Sequence, residues 1–292
     1  MLMQQNPVIR LLKSNPYQNL DEFFELNGVR PQIFNLHTHK EQSIHGRLGT
    51  RFHIPAFAFK NEKGQTIKAK VQLFIKEVFS KSEMILANKF STAEDRLMNS
   101  NGQIFITAKL DDEVLLLDRA IQIELPLQRK LSNATAIKLF SESEATTRAF
   151  NLEHAFDWKQ QNNKPLSIIK DVAERFFSFS IHHLGWFSCN NMLEKKGRSM
   201  LSIKYSSNYG TLDQKVAFLV LKDWNTVVRM YPKGQGFTSF NIPKNIAAEI
   251  IILGIKQEQL FMGNLAIPNI SNSIYLVPIE AVNEEKVMNI LL

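Results

Sequence analysis

Between Ile44 and Val78 the side chains follow a period of two, with backbone-permissive residues at the breaks, and this restricts the segment to extended, paired structure. Gly46 and Gly49 allow a tight lead-in; Phe52 and Ile54 then share one face while Arg51 and His53 take the other, and Pro55 ends the pairing. A turn at Asn61 to Gly64 follows. Val71, Leu73 and Ile75 next alternate with Lys70, Gln72, Phe74 and Lys76, the inside/outside pattern of an antiparallel strand packed on one face. The same period starts earlier, with Ile33, Asn35, His37 and His39 on one face and Phe34, Leu36 and Thr38 on the other.

Further on, Ser100-Asn101-Gly102 reads as a hairpin turn before Ile104, Ile106, Ala108 and Leu110. Asp111-Asp112-Glu113 turns the chain into Val114 to Leu117, and Ile121, Ile123 and Leu125 run to a stop at Pro126. Lys81 to Asn88 predicts a helical turn with Ser82 as its N-cap, and Leu20 to Leu26 a short helix after a lead-in at Val8 to Leu12. Residues 128 to 170 are transitional, with a strand at Thr135 to Phe140 and an exposed polar loop at Lys159 to Pro165. Arg175 to Cys189 is aromatic-rich: Phe177, Phe179, Ile181 and His183 share a face, and Trp186 is expected to be an anchor.

A second β unit is expected from strands near Ser199 to Tyr205, Lys215 to Leu221, Thr226 to Tyr231, Phe237 to Ile242, Ala248 to Lys256, Leu260 to Ile267 and Ser273 to Pro278, closed by a helix in Glu280 to Leu292. The predicted class is all-β: two β-sandwich domains joined by an aromatic-rich connector, with short N- and C-terminal helices. The expected divisions are a lead-in with a short helix at 1–30, a sandwich at 31–127, a connector at 128–198 and a second sandwich at 199–292.

A length of 292 residues suits two such domains, and 21 phenylalanines in a chain that is 44% hydrophobic argue against disorder. The net charge of +7 is spread along the chain with no dense Lys/Arg block, so nucleic acid is not an expected partner. One cysteine, Cys189, precludes an intrachain disulfide and leaves the compartment open. No stretch approaches the roughly 20 apolar residues of a membrane helix, so an integral membrane protein is not expected. The first residues lack a basic n-region followed by a long apolar run; for an exported protein, the signal would have been removed ahead of this numbering.

Gly46, Gly49-Thr50, Ile54-Pro55-Ala56, Phe59, Gly64, Ile75-Lys76-Glu77 and Met84-Ile85 together resemble the ZU-type β-sandwich domain, named from zonula-occludens proteins and netrin receptors, in the form found in secreted bacterial surface proteins. Phe179-Ser180-Ile181 with Leu184-Gly185-Trp186 resembles the GW segment that follows it, where Asn-Cys-Asp is common; here Ser188-Cys189-Asn190 lacks the acidic residue. Phe237 to Pro243 is similar to part of a carboxypeptidase-regulatory or transthyretin-like sandwich. The resemblance implies a non-catalytic, exported adhesion, scaffolding or assembly module, in the periplasm or at the cell surface, although the single cysteine equally suits the cytoplasm. Some animal relatives cleave themselves at His-Phe-Ser; the tripeptide is absent here, and self-cleavage is not expected.

Candidate chemistry is sparse. His37 and His39, two apart on a strand, have metal-ligand spacing if His45 or His53 supplies a third ligand, but no carboxylate or thiol lies in the same segment, and exposed polar-face histidines are the competing reading. Of His182 and His183, which project to opposite faces, at most one can serve a site. Cys189 near His183 is expected to be a buried structural cysteine, since a catalytic thiol needs a lowered pKa and an orienting partner. No Gly-x-Ser-x-Gly elbow occurs, and Gly234-Gln235-Gly236 reads as a turn. Glu153 and Asp157, a helical turn apart, read as a solvated face.

Aromatic residues offer a binding route: Tyr205, Tyr209, Trp224 and Tyr231 are candidates to stack on sugar rings or to form a protein hot spot, with Trp224 in a turn-like context. The expected function is therefore a non-enzymatic envelope or surface module, without a cofactor, that binds another protein or envelope component. A carbohydrate-binding module is the alternative, and a His-based metal site a distant third.

Overall fold

A computed structural model describes residues 17–93, 96–127, 136–142, 157–161, 166–171, 174–193, 198–206, 210–271 and 274–292. The protein is all-β: strands dominate, in sandwich-like arrangements of several sheets, and the described residues hold three short helices, Leu20–Asn27, Lys81–Leu86 and Glu284–Leu291. None of these helices is long and apolar enough to cross a membrane. The chain divides into two compact units, Val29–Glu83 with Thr92–Leu193, and Met1–Gly28 with Met84–Ser91 and Glu194–Leu292.

The first unit contains β1 (Gln32–His37), β2 (Gln42–His45), β3 (Arg51–Ile54), β4 (Phe59–Lys60), β5 (Lys70–Val78), β6 (Thr92–Ala93), β7 (Arg96–Leu110), β8 (Glu113–Val114), β9 (Leu116–Leu117), β10 (Ile121–Pro126), β11 (Ile137–Glu142), β12 (Trp158–Gln160), β13 (Ser167–Asp171), β14 (Glu174–Ile181) and β15 (Gly185–Met192). One sheet has the order β1-β5-β7-β15-β11-β12, with β6 and β8 also paired to β7, a second has the order β13-β14-β10-β3-β2, and β4 pairs with β9 in a two-stranded third. Their inward residues meet in one core. Leu36, Leu73, Ile75, Ile104, Ile106 and Cys189 come from the first sheet, and Phe52, Ile54, Ile121, Ile123, Phe177 and Phe179 from the second. At roughly 1.5–3 kcal/mol for each large apolar side chain buried, this alternation sets the register, because a one-residue slip would turn every one of them to water.

Three local expectations need correction. The loop expected at Lys159 to Pro165 starts as strand, because Lys159 and Gln160 belong to β12, and residues 162–165 lie outside the described ones. Ser100-Asn101-Gly102 is no hairpin turn, because β7 runs through it without a break. Ser188 pairs with Gln103 and Asn190 with Ser100, so Asn101 and Gly102 together oppose Cys189 in a β-bulge. Glycine is required there: Gly102 has φ +134°, and a Cβ would stand 2.3 Å from the Phe79 ring. Helix Lys81–Leu86 is capped by Ser80 and not by Ser82. Ser80 Oγ accepts from Glu83 N at 3.2 Å while Glu83 Oε2 accepts from Ser80 N at 2.8 Å, a reciprocal capping box.

The second unit contains β16 (Arg198–Ser206), β17 (Gln214–Leu221), β18 (Thr226–Arg229), β19 (Tyr231–Lys233), β20 (Gly236–Pro243), β21 (Ala248–Lys256), β22 (Gln259–Ile267), β23 (Ile274–Pro278) and β24 (Glu280–Ala281). Its sheets have the orders β19-β20-β16-β23 and β18-β17-β21-β22-β24. The central strands β17 and β21 are buried along nearly their whole length, including four consecutive residues Ile250, Ile251, Ile252 and Leu253, so both faces of that sheet are covered. Helix Leu20–Asn27 supplies part of that cover, with Phe24 edge-on to Phe218 at 6.4 Å and Leu20 N donating to Gln214 Oε1 at 2.8 Å. Asn19 and Asn283 cap the two terminal helices, and the Tyr17 hydroxyl links them by donating to Glu284 while accepting from Asn27 Nδ2 at 2.7 Å.

Candidate functional site

The four-stranded sheet β19-β20-β16-β23 turns Leu201, Ile203, Phe237 and Val277 inward, all buried. By alternation the intervening residues face out, and the register sorts them into rows. One row reads Tyr231, Thr238, Ser202 and Ile274 across the four strands. The next reads Lys233, Gly236, Lys204 and Leu276. On the other side of the first row, Met200 and Phe240 face out where the β16/β20 pairing shifts register.

This face is apolar to a degree unusual for solvent. Ile274 is 65% exposed, Leu276 61%, Phe240 50%, Met200 48% and Tyr231 44%, and scattered single residues would need no explanation whereas five on one sheet face do. The Tyr231 and Phe240 ring centroids are 6.4 Å apart with their planes tilted by 38°. In the middle of the face Ser202 and Thr238 approach hydroxyl to hydroxyl at 3.3 Å, and Gly236 can carry no side chain because a Cβ would lie 1.9 Å from Ile203 O. Thr238 and Gly236 are buried, while Tyr231 on β19 and Ile274 and Leu276 on β23 stand exposed at the margins, three interstrand spacings or roughly 14 Å apart.

Of the expected aromatic residues, Tyr231 lies on this face. Tyr205 shares the inward row of Val277, and its hydroxyl accepts from Lys215 Nζ at 3.3 Å, so it bridges the two sheets of its unit. Trp224 is half-buried in the turn between β17 and β18, in the other sheet, and Tyr209 lies outside the described residues. Gly234-Gln235 forms the turn between β19 and β20, as expected. Phe240, Met200, Ile274 and Leu276 were not singled out in the sequence; the signal that could have found them is the apolar i, i+2 pair Ile274/Leu276 in a strand whose partners carry Tyr231 and Phe240.

His37 ends β1, and His39 lies beyond it in a turn and not on the strand. Their rings still approach edge to face at 5.7 Å. Partial desolvation and the nearby Lys70, Lys40 and His39 lower the His37 pKa, and the same cations disfavour a dication. No group of three His, Cys, Asp or Glu side chains among the described residues is placed to hold a metal ion, whether from His37, His39, His45 and His53 or elsewhere. Cys189 is buried in the core, and burial pushes its thiol far above the ordinary range, which keeps it protonated and unreactive. His182 and His183 are both exposed, and the His183 ring lies 4.9 Å from that of Phe187. Asp157 is described but Glu153 is not, so their pairing lies outside the described residues.

One polar constellation escaped the sequence. His53 Nδ1 is 3.0 Å from Ser43 Oγ, and Nε2 is 3.1 Å from Glu124 Oε1, although off the line of a well-formed hydrogen bond. Arg51 stands 3.6 Å from the same carboxylate and 4.2 Å over the Phe176 ring. The carboxylate can hold the imidazole with its free nitrogen toward the serine, but the group sits on an open strand face with Ser43 in solvent and with Arg51 sharing its carboxylate. Comparison of the chain with family models, curated proteins and solved structures finds no match.

Proposed function

We propose that this chain is a non-catalytic module that binds another protein through the outer face of the four-stranded sheet. The observation that carries the reading is the cluster Tyr231, Phe240, Met200, Ile274 and Leu276, five large apolar side chains between 44% and 65% exposed on a single sheet face. Aromatic residues and methionine, represented here by Tyr231, Phe240 and Met200, are enriched at protein interfaces. An envelope or cell-surface setting belongs to the same reading and rests on the ZU-type resemblance.

The test is affinity capture from native envelope fractions with the wild-type chain and with Tyr231→Ser/Phe240→Ser. Reproducible partners held by the former and lost by the latter are expected. No reproducible partner, or the same partners with both, would refute the reading. A glycan reading competes on the strength of the Tyr231 and Phe240 rings; glycan binding that survives Tyr231→Ser/Phe240→Ser and is lost on Trp224→Ala would replace the proposed face with the β17–β18 turn.

A further inference from the structure

The four strands that form this face contain no Asp or Glu; their charged residues are Arg198, Lys204 and Lys233. Lys204 and Lys233 are exposed and lie in one row on either side of Gly236. Neither makes an ion pair among the described residues, whereas Lys60, Lys222 and Lys286 elsewhere pair with Asp118, Glu249 and Glu280. Two unpaired cations in one row of an apolar face present the electrostatic complement of a carboxylate.

Resting on the protein-binding reading above, we propose that the occupant of this face is a polypeptide segment of acidic-apolar character. Its large apolar side chains contact Tyr231, Phe240 and Ile274, and an Asp or Glu meets Lys204 and Lys233. A second copy of this chain is disfavoured, because the same sheet face carries cations and no carboxylate to meet them. A neutral sugar gains nothing from the paired lysines.

The experiment selects a displayed library of random dodecapeptides on the purified chain, with counter-selection on Tyr231→Ser/Phe240→Ser. Enriched peptides are expected to carry Asp or Glu beside large apolar residues. The best of them should bind at least tenfold more weakly to Lys204→Glu/Lys233→Glu, and at least tenfold more weakly when its acid is replaced by the amide. Selection repeated on that charge-reversed variant should yield basic peptides. Because both lysines are exposed, the variant keeps its fold, which circular dichroism verifies. Neutral or basic peptides enriched on the wild type, or no enrichment, overturn the inference. So does self-association lost on Tyr231→Ser/Phe240→Ser, or binding to phosphatidylserine vesicles without binding to any peptide. If capture of native partners still depends on the face while selection yields neutral peptides, the protein-binding reading stands and the acidic partner alone is refuted.

Discussion

Gly46 lies directly against the carboxylate of Glu77: a Cβ at position 46 would stand 2.4 Å from Glu77 Oε2. Glu77 is 1% exposed, and its oxygens accept from Leu48 N at 2.9 Å, Thr50 N at 3.1 Å and Gln32 Nε2 at 2.8 Å. Gln32 Oε1 in turn accepts from Arg47 N at 2.8 Å. A single buried carboxylate thus satisfies two backbone donors of the loop leading into β3, of which Thr50 is buried. Glu77→Gln leaves a charge-assisted acceptor as an amide with donors facing donors, and is expected to destabilise the first unit by about 1–3 kcal/mol. Gly46→Ala should cost about as much by displacing the carboxylate. Urea unfolding followed by tryptophan fluorescence measures both, and midpoints equal to wild type would contradict the account.

At the β7/β15 bulge, Gly102→Ala combines a backbone conformation that L residues rarely adopt with a clash against Phe79. The expected loss is about 2–4 kcal/mol. The same substitution at Gly64, where φ is +79° but nothing lies within 4 Å of the added Cβ, should cost less, about 1 kcal/mol. Equal losses at the two positions would show that the ring contact has no part in the effect.

Cys189 should resist thiol reagents in the folded chain. Its thiol is fully buried and held protonated by desolvation, so attack requires opening of the core. Ellman's reagent is expected to titrate no thiol in native buffer and one thiol in denaturant. Rapid native labelling would place the sulfur at the surface.

His37 is expected to titrate below the ordinary imidazole range, because partial desolvation, then Lys70, Lys40 and His39, disfavour its cation. Its folded pKa is thus lower than its unfolded pKa, so the unfolded chain binds more protons within the interval between them. Stability from this group is therefore complete above the unfolded pKa and falls as pH drops through the interval. An NMR pH titration of the His37 ring should move upward on Lys70→Gln. A midpoint at or above the free-histidine value would reverse the sign.

The parts of the fold that were legible in the sequence are those where burial and local period coincide. Val71, Leu73 and Ile75 point inward in β5 as their alternation requires, and β21 spans Ala248–Lys256, as expected. Ser100-Asn101-Gly102 misled because glycine with positive φ serves a bulge as well as a turn, and the choice depends on a partner strand some 85 residues away. Ser82 has the local spacing of a cap, whereas Ser80 completes the box only when Glu83 folds back onto it. The Ser43–His53–Glu124 contact and the apolar outer face share one reason for being hidden. Each is assembled by register between strands distant in sequence, and the parallel pairing of β16 with β23 that places Ile274 beside Ser202 has no local signature.

The central claim is that the outer face of β19-β20-β16-β23 is where this chain meets a protein. Its most direct test is photo-crosslinking in native cells with p-benzoylphenylalanine placed singly at Tyr231, Phe240 or Leu276, and at Ser43 on the polar strand face as a control. The account predicts discrete, shared crosslinked proteins from the first three positions and none of those from Ser43; no crosslinked protein from the first three, or the same products from all four, would contradict it.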